Sequence, residues 1–191
     1  MSLAEEFERV GERPTPPTGR VIVITGAMAA GKSTVAELLA TRLEKSVHIR
    51  GDSFRRMIVN GRAEMTLDPT PEALAQRRLR YRLASDVADA YAAEGFDSIV
   101  QDVIVGPDLP RFVEQIQTPE RYLIVLSPSV SVLEWREQQR KKQHDVHFSA
   151  GAMDNTLRRE TDKIGYWLDS SAQSPEETVD DILSHLDRAR V

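Results

Sequence analysis

No cysteine occurs in this chain, which rules out a disulfide framework and any thiolate metal site. No apolar run approaches the ~18 residues that a membrane-spanning helix needs, so no membrane partner is expected. The first residues, Met1-Ser2-Leu3-Ala4-Glu5-Glu6, lack the basic start and apolar centre of a signal peptide. There is no internal repeat and no low-complexity segment. Positive charge is in deficit, with a net charge of −5. That balance argues against a large non-specific nucleic-acid footprint, while a local basic groove stays open. What remains is a 191-residue chain of ordinary composition, 40% hydrophobic and 29% charged. It is long enough for one well-cored domain, and a cytoplasmic enzyme fits these numbers. Either a monomer or a homodimer is compatible with them.

Against that plain background one stretch stands out. Gly26-Ala27-Met28-Ala29-Ala30-Gly31-Lys32-Ser33 reads as G-x-x-x-x-G-K-[ST]. Before it, Val21-Ile22-Val23-Ile24 is apolar and β-branched, which suits a strand buried on both faces. After it, Val35, Leu38, Leu39 and Leu43 recur at helical spacing. Strand, glycine loop and helix together are the setting in which this motif cradles phosphate. Gly26 and Gly31 permit backbone angles and close approaches that a side chain blocks. Loop N–H groups from Gly26 through Thr34 then point at phosphate oxygens, backed by the positive end of the helix dipole. Lys32 sets a compact charge against the β- and γ-phosphates, and the Ser33 hydroxyl is a hard oxygen ligand for Mg²⁺. The expected cofactors are ATP and Mg²⁺.

Taken in order, residues 1–19 read as an extension, in which Pro14, Pro16 and Pro17 forbid regular hydrogen bonding. Residues 20–191 form the domain. Ser46–Arg50 reads as a second strand, followed by Gly51-Asp52-Ser53. Ligands of doubly wound sheets sit beyond the carboxyl ends of the strands. Asp52 is therefore placed to meet an acceptor group at the γ-phosphate, and it also suits a helix N-cap. Thr70-Pro71-Glu72 opens a helix that runs to Glu94 and carries Arg77, Arg78, Arg80 and Arg82. At 3.6 residues per turn these arginines spread around the axis. Most read as a solvated face, with one or two directed at the acceptor. Phe96–Asp102 reads as a third strand ending in Asp102, a candidate magnesium-shell carboxylate. Which of Asp52 and Asp102 is the base, and which belongs to the magnesium shell, stays open at this point. Val103 stands where a water-polarising Glu would be expected in a motor-type ATPase, which favours transfer over hydrolysis.

A short helix over Pro107–Gln117 leads to a fourth strand over Arg121–Leu126. Ser131 and Glu134 then have capping-box spacing, and the helix they open carries Arg136 and Arg140, one turn apart on one face. A lid over about 131–150 is expected, where guanidinium groups stack on adenine and neutralise the transferring phosphoryl group. His144 and His147 lack a third ligand and read as solvated residues. A helix from about Ala152 to Lys163, a strand at Gly165–Asp169 and a capped helix from Ser174 complete the chain. Helices alternating with apolar strands imply an α/β fold with a parallel sheet covered on both faces.

The loop at 26–33, Gly51-Asp52-Ser53, Asp102 and the Arg136/Arg140 pair together resemble a P-loop small-molecule kinase of the chloramphenicol phosphotransferase-like group. Gluconate and shikimate kinases are more distant relatives. The resemblance implies a three-layer α/β/α P-loop NTPase fold, a five-stranded sheet of order 2-3-1-4-5 and a helical lid. It also implies Asp52 as base on the acceptor hydroxyl, Lys32 and Ser33 as phosphate and magnesium residues, and Arg136 and Arg140 as lid arginines. The activity expected is ATP:Mg²⁺-dependent phosphoryl transfer to a hydroxyl of a small molecule. Alternatives are a polynucleotide 5′-hydroxyl or nucleoside kinase, kept open by Arg55, Arg56 and the Arg77–Arg82 cluster, and a non-catalytic ATP-binding regulatory module. A GTP switch is disfavoured, since Asn60 and Asn155 precede Gly61 and Thr156 rather than the lysine of a guanine-reading Asn-Lys-x-Asp.

Overall fold

The computed structural model describes residues 18–66, 68–139 and 150–191. Five strands form one parallel sheet: β1 (Val21–Gly26), β2 (Ser46–Arg50), β3 (Asp97–Gln101), β4 (Arg121–Leu126) and β5 (Tyr166–Leu168). Their order is β2-β3-β1-β4-β5, the expected 2-3-1-4-5 arrangement flanked by helices. β1 lies in the middle, in register with β3 (Val21 beside Ser98) and with β4 (Val21 beside Arg121). Strands on both edges and helices over both faces bury it, which is why Val21–Ile24 can be apolar on successive residues.

The helices are α1 (Lys32–Arg42), α2 (Gly51–Arg56), α3 (Pro71–Ala93), α4 (Asp108–Gln115), α5 (Val130–Gln139), α6 (Ala150–Glu160) and α7 (Pro175–Ser184), with a final 3₁₀ turn over Leu186–Ala189. Strand alternation sorts the two helical layers. Ser98, on one face of β3, donates to the Ala88 carbonyl of α3 at 2.9 Å. Gln101, on the opposite face, accepts from Ser33 of α1 at 3.2 Å. α3 thus covers one side of the sheet and α1 the other. Thr70 caps α3, its hydroxyl accepting from Ala73 N at 3.1 Å, with Pro71 in the first turn. Ser174 and Glu177 form a full capping box at the start of α7.

The strands at 46–50 and 121–126 have the expected bounds, and the others differ from expectation by a residue or two. One expected cap is not found. α5 starts at Val130, and the carbonyl of Ser129 accepts from Val132 N at 3.1 Å and Leu133 N at 3.0 Å. Ser131 lies inside the first turn, with its hydroxyl 3.1 Å from that of Ser129, so the Ser131/Glu134 box does not open this helix. The helix expected over Ala152–Lys163 runs from Ala150 to Glu160. The extension over 1–17, the latter part of the expected lid, and with it Arg140, His144 and His147, lie outside the described residues. No helix among the described residues is long and apolar enough to cross a membrane.

Candidate active site

The site is built at the carboxyl ends of β1, β2 and β3. β1 ends in Gly26 at φ 145°, a left-handed angle, and a Cβ there would run into the carbonyl of Leu126 on β4. The loop then turns through Ala27, Met28, Ala29 and Ala30, with Ala29 also at positive φ, and enters α1 through Gly31 at φ 97°. No side chain caps α1 at Gly31. The first N–H groups of a helix have no intrahelical acceptor, so here they are open to an anion, with the helix dipole favouring negative charge. Lys32 is only 6% exposed. Its Nζ donates to the carbonyls of Gly26 at 3.0 Å and Ala27 at 2.8 Å, which keeps the ammonium beneath the loop. Ser33 and Thr34 are exposed at its rim.

The two candidate acids differ in setting. Asp52 sits in the first turn of α2, with its side chain 45% exposed and paired to Arg56. Asp102 is 4% exposed. One carboxylate oxygen accepts from Val103 N at 2.7 Å, and the other lies 3.0 Å from Arg80 Nε on α3. It packs against Gly51 so closely that any Cβ at 51 would collide with the carboxylate. Burial pushes the Asp102 carboxyl above its usual range, against the pull of Arg80, the Val103 N–H and Lys32, while Asp52 adds to the rise. Burial likewise works against the Arg80 cation, but Asp102, Tyr81 and Asp52 together outweigh it and hold its proton more tightly than usual.

Of the four α3 arginines, Arg80 reaches Asp102 and Arg77 pairs with Asp108 at 2.9 Å. The expectation of one or two inward arginines did not say which. The Tyr81 hydroxyl donates to the Val103 carbonyl at 2.9 Å, and burial raises it to about 12. Thr25 clips the same loop to the end of β1: its hydroxyl donates to Ile104 O at 2.8 Å and accepts from Ile104 N at 2.9 Å.

Arg136 of α5 spans the far side of the loop, donating to Ala30 O and Ser170 O, each at 3.3 Å. Beneath it lies a cavity of about 300 Å³, bounded by Gly31, Thr34, Trp135, Arg136, Ser170 and Gln173. Two roles went unread in the sequence, that of Arg80, which was named only as one of four arginines, and that of Gln101. A polar Gln within a strand buried on both faces was the available signal for the second. Nothing in the sequence singled out Arg80 among its neighbours.

Comparisons with known proteins bear on the family and the fold. A family model described as an AAA domain matches residues 21–162. No curated protein matches the chain. Among solved structures, a sugar kinase from Janibacter sp. is 20% identical at TM-score 0.63, covering 90% of this chain and 96% of that one. A gluconokinase from Sinorhizobium meliloti is 20% identical at TM-score 0.62, covering 91% and 94%. The APS kinase of Mycobacterium tuberculosis, in complex with AMPPNP and APS, is 19% identical at TM-score 0.66, covering 90% and 99%. At these identities the likeness is one of fold.

Proposed function

The chain belongs to the AAA domain family over residues 21–162, and from that premise we propose that it moves the γ-phosphoryl group of ATP, as the magnesium complex, to a hydroxyl of a small molecule. The observation that carries this reading is the uncapped N-terminus of α1 above a buried Lys32, beneath a loop bent by Gly26 and Gly31. Such a nest of N–H donors with a cation beside it fits a polyphosphate. Gluconate and sugar kinases sharing the fold make a hydroxyl acceptor the natural partner. The resemblance of the motifs to the chloramphenicol phosphotransferase-like group belongs to the same proposal.

In this reading Lys32 leaves the Gly26 and Ala27 carbonyls to meet the β- and γ-phosphates. The N–H groups at residues 26–34 hold the phosphate chain in line. Ser33 would hold Mg²⁺, which neutralises charge on the phosphates. Arg136, from across the loop, adds charge neutralisation as the phosphoryl group transfers, together with Arg140. The cavity under Arg136 takes the adenine, between α5 and the turn before Ser174. Asp52 orients the acceptor hydroxyl and takes its proton as the new O–P bond forms, the bond to the bridging oxygen breaks and ADP leaves. Carboxylates are weak bases, which suffices where a loose transition state leaves most of the work to positioning and charge neutralisation.

A screen for ADP release over hydroxylated metabolites, antibiotics, nucleosides and oligonucleotides tests the proposal. Phosphorylation of a small hydroxyl compound supports it. Activity confined to oligonucleotides and falling steeply with salt points to the polynucleotide alternative. ATP binding without transfer to any acceptor points to a regulatory module.

A further inference from the structure

The end of β3 presents two polar side chains to opposite faces of the sheet. Gln101 faces α1, where its Oε1 accepts from the Ser33 hydroxyl at 3.2 Å. Asp102, one residue on, faces α3 and is engaged by Arg80, the Val103 N–H and the Gly51 backbone. The alternation is the sheet's own: Ser98 marks the α3 face, and a period of two puts 102 on that face and 101 on the other. A hydroxyl whose proton is committed to an acceptor keeps its lone pairs for a cation, and Ser33 is exposed at the rim of the phosphate loop. Gln101, 9% exposed at the floor of that mouth, supplies the acceptor without adding charge.

We propose that Gln101 is the positioning residue for the cation-binding hydroxyl of Ser33, and that Asp102 takes no part in holding the cation. The inference rests on the nucleotide-binding reading above and names which residue stands behind its metal ligand. A carboxylate in the Gln101 seat would both orient the hydroxyl and attract Mg²⁺. The carboxamide does only the first, so the chain meets its magnesium with a neutral second neighbour. Asp102 instead braces the α2–α3 side through Arg80.

The test is fluorescence titration of mant-ATP, first in EDTA and then over rising Mg²⁺, for the wild type and three variants. Gln101→Ala should raise the half-saturating Mg²⁺ about tenfold, in the range typical for loss of a group behind a metal ligand, while the affinity in EDTA stays put. Gln101→Glu keeps the acceptor and adds charge, so its magnesium requirement should equal or fall below that of the wild type. Asp102→Asn should melt earlier yet keep the wild-type magnesium requirement within about twofold. An unchanged requirement in Gln101→Ala, or one raised above that of the wild type in Gln101→Glu, overturns the inference whether or not the Asp102 variant folds. An Asp102→Asn shift as large as that of Gln101→Ala overturns it too. In each case wild-type nucleotide binding remains, so the broader reading survives. A wild type that binds no mant-ATP at any magnesium concentration overturns both.

Discussion

The two sides of the site are held in different ways. On the phosphate side the shape comes from backbone. Gly26 and Gly31 adopt left-handed angles and the loop's carbonyls hold Lys32, all within residues 26–32. On the side proposed for the acceptor the shape comes from side-chain ion pairs, those of Arg80 and Arg77 joining α3 to distant segments and the other two local. Arg80 meets Asp102 at 3.0 Å, Arg77 meets Asp108 at 2.9 Å, Arg55 meets Glu64 at 2.6 Å, and Arg56 meets Asp52. A backbone nest is generic for any polyphosphate, whereas ion pairs depend on which side chains the fold brings together. The general half of the chemistry thus sits in the contiguous motif. In the proposed reading, the half that would choose an acceptor sits beside these paired arginines.

The sharpest break of that comparison is on the phosphate side. Lys32→Ala removes the only side-chain charge in the motif, and turnover should fall by ~10³-fold or more, measured as ADP release at saturating ATP. The glycine angles survive the change, so the thermal melt should move little by comparison. A variant that keeps turnover within a few-fold would mean that N–H groups alone cradle the phosphates.

On the acceptor side, Asp52→Asn should lower transfer by ~10²- to 10³-fold, the usual contribution of a general base, with ATP affinity unchanged by calorimetry. The contrast with Lys32 is the point: one substitution strikes both binding and chemistry, the other chemistry alone. Transfer surviving within a few-fold would remove Asp52 from the base role. Arg56 sharpens this result, because Arg56→Ala frees the Asp52 carboxylate without touching the loop.

The ion pairs themselves are tested by stability. Arg80→Met strips the buried Asp102 of its cation and should cost about 3 kcal/mol, read by urea unfolding. Asp102 already has its proton affinity raised by burial, and losing Arg80 raises it further. The folded state then binds the proton more tightly than the unfolded chain. Stability is therefore lost as pH climbs from the ordinary Asp value toward the raised one. The deficit of Arg80→Met should be larger at pH 8 than at pH 5. The double variant Arg80→Met/Asp102→Leu should recover much of the loss, since removing both partners leaves no orphaned charge. A deficit that shrinks as pH rises would mean that Asp102 is not the group left uncompensated.

The same division explains what could be read in advance. The phosphate loop was legible because its chemistry is contiguous. β4 was bounded correctly because it is a short buried apolar run opened by a polar Arg121, and β2, a half-buried edge strand, because Gly51 stops it. The Arg80–Asp102 pair was not legible. Arg77, Arg78, Arg80 and Arg82 are chemically alike, and only the docking of α3 on β3 decides which one turns inward. Nor was the division between Gln101 and Asp102, because apolar residues leading to an acid draw attention to the acid. The pleat, counted from Ser98, assigns the adjacent side chain to Ser33. The early start of α5 has a similar cause: Ser129 follows Pro128 and offers its carbonyl to Val132 and Leu133 before Ser131 can act as a cap.

The mildest test returns to a feature that is local like the loop and remote from charge transfer. Ser174 accepts from Glu177 N at 3.1 Å, and Glu177 accepts in turn from Ser174 N at 2.8 Å. Both orphan donors at the start of α7 are thereby satisfied within four residues. Ser174→Ala should cost about 1 kcal/mol and Ser174→Gly only a few tenths, by the same urea unfolding used for Arg80→Met. α7 begins beside the cavity under Arg136, yet its cap fixes only its own first turn. Nucleotide affinity should therefore hold within about twofold in both variants, while stability ranks serine above glycine above alanine. If the Ala variant instead lost stability on the scale of Arg80→Met, the cap would be coupled to the sheet. The separation between locally fixed and remotely fixed parts of the site would then fail at its most local point.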